Sequence, residues 1–342
     1  MHDAETTTTT TTTEADTASA PPVPQGAVRL AVLGGDPAVS QALRRGGALL
    51  ADAEPGPKQA SAALLAQFHY GLASARAGAL GDVRLLAQLI AAAQGEAAPV
   101  FWPQPDGTLV DAARPEVDPA GLPDLATATA YRQAHLTALA RLLAEAETLV
   151  LPLGAPTLLT DPASGQVFPR PPAGLHAPDW PEARMSAKDL DAGFARLSAG
   201  LQALNPTLRL CLIVLPAPPG ARAETRASHA LLAARAADWA RGTARVRHDP
   251  VLDALVGRLL AQGGEAADPD PLAALVVRLC GGADLLDLLA GGAAPPPAAA
   301  ATDRKQRAKD PERRARRKAR AEAKGKTAKV MCEDELLEAF SK

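Results

Sequence analysis

The amino-acid sequence predicts an α/β fold built on a mainly parallel sheet. Three observations carry that expectation. Three runs are apolar at nearly every position, as strands buried on both faces are. Five segments with helical periodicity are interleaved with them or follow them. Each apolar run closes on Gly or Pro, the residues that turn a strand into a loop. Strands alternating with helices favour a parallel sheet, because parallel neighbours need a crossover.

The first run, 28–33 (VRLAVL), enters Gly34-Gly35. The second, 148–153 (TLVLPL), ends at Gly154, and the third, 208–215 (LRLCLIVL), ends at Pro216. Helical patterns occupy 39–50, 83–93, 125–146, 187–204 and 228–241. Ligands of open α/β sheets bind beyond the carboxyl ends of the strands. The loops at 34–38, 154–160 and 215–222 are therefore where a site is expected.

Composition narrows the choice of class. The chain has 342 residues, 47% of them hydrophobic and only 3% aromatic, so its core must be aliphatic. Its 78 alanines reflect a compositional bias, and Ala-rich stretches are discounted as helix evidence. Cys211, Cys280 and Cys332 lie far apart with no CxxC, which excludes a disulfide scaffold and a Cys-rich zinc module. The start lacks the charged, apolar and small-residue order of a secretion signal. No apolar run approaches the roughly 20 residues of a membrane span. A cytoplasmic protein without a membrane span is the expectation.

The composition also divides the chain. Residues 1–26, with threonine at 6–13, cannot bury a face and are expected to be disordered. The α/β domain is expected at 27–290, followed by an Ala/Pro linker at 291–302. Between 303 and 329 there are 13 basic and 4 acidic residues, a net of +9; the remainder carries 23 basic and 34 acidic residues, a net of −11. The net of −2 therefore averages an acidic body and a basic tail. The last segment, 330–342, opens with VMCEDELLEAF, whose Leu336, Leu337 and Phe340 recur at helical spacing.

Six blocks stand in order along the chain: DGTLVDAARPEVDPAGL at 106–122, YRQAHL at 131–136, LVLPLGAPTLLTDPASGQVFP at 149–169, NPTLRLCLIVLPAP at 205–218, SHALL at 228–232 and the CEDELLEAF ending. Together they resemble the GSCFA family. Order and spacing agree over about 28–250 and the last dozen residues. The family is related to the SGNH hydrolases, so the resemblance implies a three-layer α/β/α fold and the cleavage or transfer of acyl groups. It also implies a nucleophilic serine just after the first strand.

That chemistry needs a serine, a histidine base beside it and donors for the oxyanion. Here the motif place reads Gly34-Gly35-Asp36-Pro37-Ala38, and the nucleophile position is Gly35. The family's asparagine-bearing YGN motif falls at Ala77-Gly78-Ala79, where only Gly78 matches. At Gly154 the acidic residue that follows in the family is missing, and at Pro216 the serine before it has become Leu215. No late D..H pair is visible. The positions that shape the backbone, Gly34, Gly35, Gly78, Gly154 and Pro216, are Gly or Pro, while the reactive groups are gone.

Ser40 is the nearest serine to the motif, and more than a helical turn displaced. It is either a displaced nucleophile or a packing residue. His135 alone matches a recurrent family histidine; it is either a base or a buried imidazole satisfied by its surroundings. His248, after Arg247, is the remaining candidate base. His69 with Tyr70 and Gly71 reads as a loop or helix-end feature. No zinc-ligand spacing, HExxH, EF-hand loop, GxGxxG or P-loop occurs, so neither a metal nor a cofactor is expected. Asp249-Pro250 and 268–271 (DPDP) read as turns.

The basic run suits phosphate backbones or an acidic protein surface, with Arg313, Arg314, Arg316, Arg317, Lys318 and Arg320 at its centre. It holds no aromatic residue to stack on bases, and no apolar stripe for a membrane. The C-terminal segment reads as a short helix that docks on a partner or on its own domain. Three functions stay open: a degenerate GSCFA-like domain acting as a binding or scaffold protein, an SGNH-type ester hydrolase or acyltransferase with a displaced nucleophile, and polyanion binding through 303–329.

Overall fold

The computed structural model describes residues 29–78, 80–261 and 271–283. The chain divides into two compact units, Met1–Leu285 and Leu286–Lys342, and every described residue belongs to the first. The segments 1–26, 291–302, 303–329 and 330–342 lie outside the described residues.

Four strands form one parallel sheet: β1 (Leu30–Val32), β4 (Thr148–Leu153), β7 (Arg209–Val214) and β8 (Val246–His248), in the order β1-β4-β7-β8. The first three are the apolar runs of the sequence. The fourth, Val-Arg-His, has no apolar run, and nothing in its sequence marks a strand. It forms because its backbone completes the ladder of β7, with Leu210 opposite Val246 and Leu212 opposite His248. Two short antiparallel hairpins lie outside the sheet, β2 (Phe101–Pro103) with β3 (Leu109–Asp111) and β5 (Leu158–Thr160) with β6 (Val167–Pro169). The fold is thus mixed α/β, with a parallel sheet and the eight helices α1 to α8 among the described residues.

Strand parity builds the core. Side chains alternate between the two faces of a strand. Ala31, Leu33, Leu149, Leu151, Leu153, Leu210, Leu212 and Val214 share one parity and enter one cluster. The helices α3 (Val83–Ala93), α4 (Leu125–Glu145), α5 (Ala187–Leu204) and α6 (Ala223–Gly242) contribute to it. Cys211, of the opposite parity, meets Cys280 at the end of α8 (Pro271–Cys280). All six residues of β4 are buried, and the core around them is mostly aliphatic, with Phe194 and Trp239 as its aromatic contribution. A separate aromatic cluster joins the hairpins: the ring of Trp102 lies 6.1 Å from both Phe168 and Trp180.

Helices α3 and α5 keep the expected limits, and α4 ends at Glu145, one residue short of the expected 146. The helix expected at 39–50 is α1 (Pro37–Arg45) and stops short. A Cβ on Gly46 would lie 2.3 Å from the Ala273 carbonyl oxygen, so α8 crosses where α1 must end. The helix expected at 228–241 starts five residues earlier, at Ala223. Three helices were not expected: α2 (Ala62–Gln67), α7 (Pro250–Ala261) and α8. Asp249-Pro250 does more than turn the chain. The Asp249 carboxylate accepts from the Val251 N–H at 2.8 Å, and Pro250 opens α7, where its missing N–H costs nothing.

Asn205 ties the core helices to the sheet. It ends α5, and its amide nitrogen lies 3.0 Å from the Leu143 carbonyl and 2.8 Å from that of Ala146. Those are carbonyls of the last turn of α4, which have no partner within their own helix. The Asn205 carbonyl oxygen accepts from the Thr207 N–H at 3.0 Å and from its hydroxyl at 2.7 Å, aiming the chain into β7. Asn205→Ala is expected to cost about 2 kcal/mol in urea unfolding, because buried carbonyls lose their donor. Asn205→Asp should cost more, since an acceptor would then face two acceptors. Unchanged midpoints for both variants would remove this role.

Candidate functional site

The carboxyl ends of the strands are closed by backbone packing. Gly34 and Gly35, directly after β1, both have φ +70°, a conformation open to glycine and costly for other residues. The two turn the chain tightly against its neighbours. A Cβ on Gly34 would lie 2.2 Å from the Leu80 carbonyl oxygen, and one on Gly35 would lie 2.4 Å from the Cβ of Pro152 in β4. Next along the edge, the Gly154 N–H donates to the Gly81 carbonyl at 2.7 Å. His229 of α6 donates from Nδ1 to the Leu215 carbonyl at 2.9 Å, and its ring packs beside Gly154. Pro216 packs against Gly257 of α7.

Asp36 occupies the start of α1. Its carboxylate accepts from the Ala38 N–H at 2.9 Å, and Pro37 follows as the first helical residue. The positive end of the helix is therefore met by a carboxylate of the chain itself. Ser40 lies one turn further in and is 1% exposed. The ring-nitrogen hydrogen bonds of His135, His229 and His248 go to Glu54, the Leu215 carbonyl and Asp253, not to Ser40.

A cavity of about 100 Å³ lies beside the β1 turn, lined by Gly34, Gly35, Pro37, His69, Gly78 and Glu116 among others. Three of the five positions expected to shape the site, Gly34, Gly35 and Gly78, thus share one small space. His69 is the one non-glycine residue with positive φ among those described, at +59°. Burial lowers its basicity, Glu116 and Asp118 act the other way, and Arg76 adds to the lowering; the net shift is downward. Ser40, His135 and His248 do not line this cavity.

His135 belongs instead to a buried ionic network. Its Nδ1 lies 2.8 Å from Glu54 Oε2, which also accepts the Arg76 N–H at 2.7 Å. The Arg76 side chain reaches Asp118 at 2.8 Å, donates to the Phe68 carbonyl and stacks 4.1 Å over the Tyr70 ring. Arg114 donates to the Arg76 carbonyl at 3.0 Å and to Asp111 at 2.9 Å, and Arg132 reaches the same Asp111 oxygen at 3.2 Å. Glu54, Asp111 and Asp118 face Arg76, Arg114 and Arg132 around a neutral imidazole. Burial pushes the His135 pKa down to about 4, against the opposing effect of the hydrogen bond that His135 donates to Glu54. Burial alone would raise the Asp111 carboxyl, but Arg132 and Arg114 outweigh it and hold it low.

His248 forms a second pair at the end of β8. Its Nε2 lies 2.8 Å from Asp253 Oδ2, and Asp253 Oδ1 accepts the Val214 N–H at 2.8 Å. One carboxylate thereby ties β7, β8 and the first turn of α7. The free ring positions, His135 Nε2 and His248 Nδ1, are buried without a hydrogen-bond partner. Each imidazole is held as a base would be, yet neither has a hydroxyl against it.

The structure therefore brings Gly34, Gly35 and Gly78 together and keeps Ser40, His135 and His248 apart from them. Sequence reasoning missed Glu54, Arg76, Asp111, Arg114 and Asp253. Asp111, Arg114 and Arg132 fall inside the segments 106–122 and 131–136, but nothing in the spacing of those segments marks them as partners. Ala79 and the basic residues Arg313, Arg314, Arg316, Arg317, Lys318 and Arg320 lie outside the described residues. Among the described residues no group of three His, Cys, Asp or Glu could hold a metal ion, and no helix is long and apolar enough to cross a membrane. No family model matches the chain, and neither a curated protein nor a solved structure does.

The His135 pairing has a pH signature. The folded imidazole stays neutral down to about pH 4, while an unfolded one takes up its proton near 6.5. The unfolded state binds the extra proton between those values, so stability present above 6.5 is lost as pH falls toward 4. The slope should approach about 1.4 kcal/mol per pH unit for this one group. His135→Asn, which keeps a donor toward Glu54, should flatten the dependence in urea unfolding between pH 6.5 and 4. An identical slope in both proteins would show that His135 titrates freely in the fold.

Proposed function

We propose that the chain is a degenerate GSCFA-like domain, of three-layer α/β/α SGNH type, that has given up acyl chemistry and acts as a binding or scaffold protein. The single observation that carries this reading is the contact between Gly35 and Pro152. A nucleophile at position 35 needs a side chain, and its first carbon would sit 2.4 Å from the Pro152 Cβ. The missing serine is thus matched by missing space, so a serine cannot simply be restored at that position.

The electrostatics support the same reading. Acyl transfer develops an oxyanion, which enzymes meet with donors or a helix N-terminus. Here the start of α1 is capped by the Asp36 carboxylate, which would repel such an anion. The six sequence blocks support the family part of the proposal. The two histidines held by carboxylates support its origin from a fold that handles protons, since each keeps one bare ring nitrogen.

The competing reading makes Ser40 a displaced nucleophile. Ser40 is 1% exposed within α1, and the His135, His229 and His248 rings are bonded elsewhere. A serine-directed fluorophosphonate is therefore expected to leave the folded full chain unlabelled, and short acyl esters should be hydrolysed no faster than in buffer. Stoichiometric labelling that disappears in Ser40→Ala would overturn the proposal in favour of the enzyme.

A further inference from the structure

A different part of the fold holds a pair of thiols that neither the sheet edge nor the ionic network uses. Cys211 is the third residue of β7, and Cys280 is the last residue of α8. They are separated by 69 positions in sequence, and their sulfurs lie 3.5 Å apart. Both are free thiols, 2% and 3% exposed. We propose that Cys211 and Cys280 are a reversible oxidation site, whose disulfide fastens α8 to the central sheet.

The surroundings suit a pair that opens locally. Cys280 is followed by Gly281 and Gly282, so α8 ends at the thiol itself. Arg247, paired with Cys211 in the ladder of β8 and β7, donates to the Leu279 carbonyl at 3.0 Å and to the Ala283 carbonyl at 2.6 Å. That guanidinium clamps the helix end and lies close enough to favour a Cys280 thiolate. The contact with Cys211, followed by burial, raises the Cys280 thiol well above its ordinary range, so the closed form is unreactive. Release of the last turn of α8 removes both restraints, and a thiol freed from burial can ionise and react.

The oxidant is a low-molecular-weight disulfide of the glutathione class. The Cys280 thiolate attacks one sulfur of glutathione disulfide, forming a mixed disulfide and releasing one glutathione thiolate. Cys211 gives up its proton and attacks the Cys280 sulfur, closing the Cys211–Cys280 bond and releasing the second glutathione. The two protein thiols are oxidised by two electrons, the glutathione disulfide is reduced by two, and the two protons end on the two glutathiones. Closure joins a loop of about 70 residues, long enough for a cross-link to restrict the unfolded chain strongly.

The test uses the full chain and a Cys332→Ser variant, so that the third cysteine cannot substitute. Each is equilibrated with glutathione and its disulfide at graded ratios, trapped with N-ethylmaleimide, and analysed by intact mass and peptide mapping. The expected result is a species carrying two fewer maleimide adducts than the reduced protein, with the 211 and 280 peptides linked, in both proteins and reversed by dithiothreitol. The linked form should melt at a higher temperature than the reduced one. Cys280→Ala, a small buried replacement, should melt close to the reduced form and yield no link at Cys211. Free Cys211 and Cys280 thiols at every ratio in the folded Cys332→Ser protein would overturn the proposal. So would a link that forms only after unfolding.

Discussion

The turn from β1 into α1 sits directly on β4, and the rest of the strand-end edge depends on that approach. Gly34 and Gly35 carry φ values of +70° and leave no space for a Cβ, against the Leu80 carbonyl on one side and Pro152 on the other. Because the turn is this tight, α1 begins at once, capped by Asp36 and opened by Pro37. Because β4 is buried at all six positions, it cannot yield to a larger residue above it. Interiors are close-packed, so such contacts are met by strain rather than by expansion. The edge where an α/β sheet binds its ligand is here narrowed by the protein's own backbone, by Pro152 and Pro216 and by the His229 ring.

Most of the buried charge among the described residues is gathered in one network away from that edge. Glu54, Asp111 and Asp118 balance Arg76, Arg114 and Arg132, with His135 neutral among them. Buried charges are tolerated when each is paired and hydrogen-bonded, and removal of one partner leaves the other costly. The network links the segment before α2, the loop before α3, the β3 turn and α4. Those segments share no regular hydrogen-bonded ladder. Their geometry is therefore set by side chains, whereas the sheet is set by backbone pairing.

This division explains what the sequence discloses. Runs such as 148–153 and 208–215 show themselves as strands because both faces are buried, and helices 83–93 and 187–204 show themselves by period. Strand β8 is hidden, because Val-Arg-His joins the sheet by edge pairing and not by its own apolar pattern. The end of α1 is hidden as well, because Gly46 is set by the Ala273 backbone more than 200 positions away. At the candidate site, the lack of a side chain is legible from Gly35, while its close approach to Pro152 requires the fold. The network is legible only in fragments, since Glu54, Arg76, Asp111 and His135 come from four separate segments whose spacing carries no period. The pairing of His248 with Asp253 needs only five positions, yet it emerges only once 250–261 is known to be a helix.

Position 35, where the proposed GSCFA likeness would put a nucleophile, has no space for a side chain. The direct measurement is the stability and fluorophosphonate reactivity of Gly35→Ser, compared with the natural sequence in urea unfolding. Positive φ and a contact inside van der Waals distance should together cost about 3 kcal/mol or more. The variant should also remain unlabelled at residue 35. A Gly35→Ser protein as stable as the natural one, and labelled at the new serine, would contradict the account.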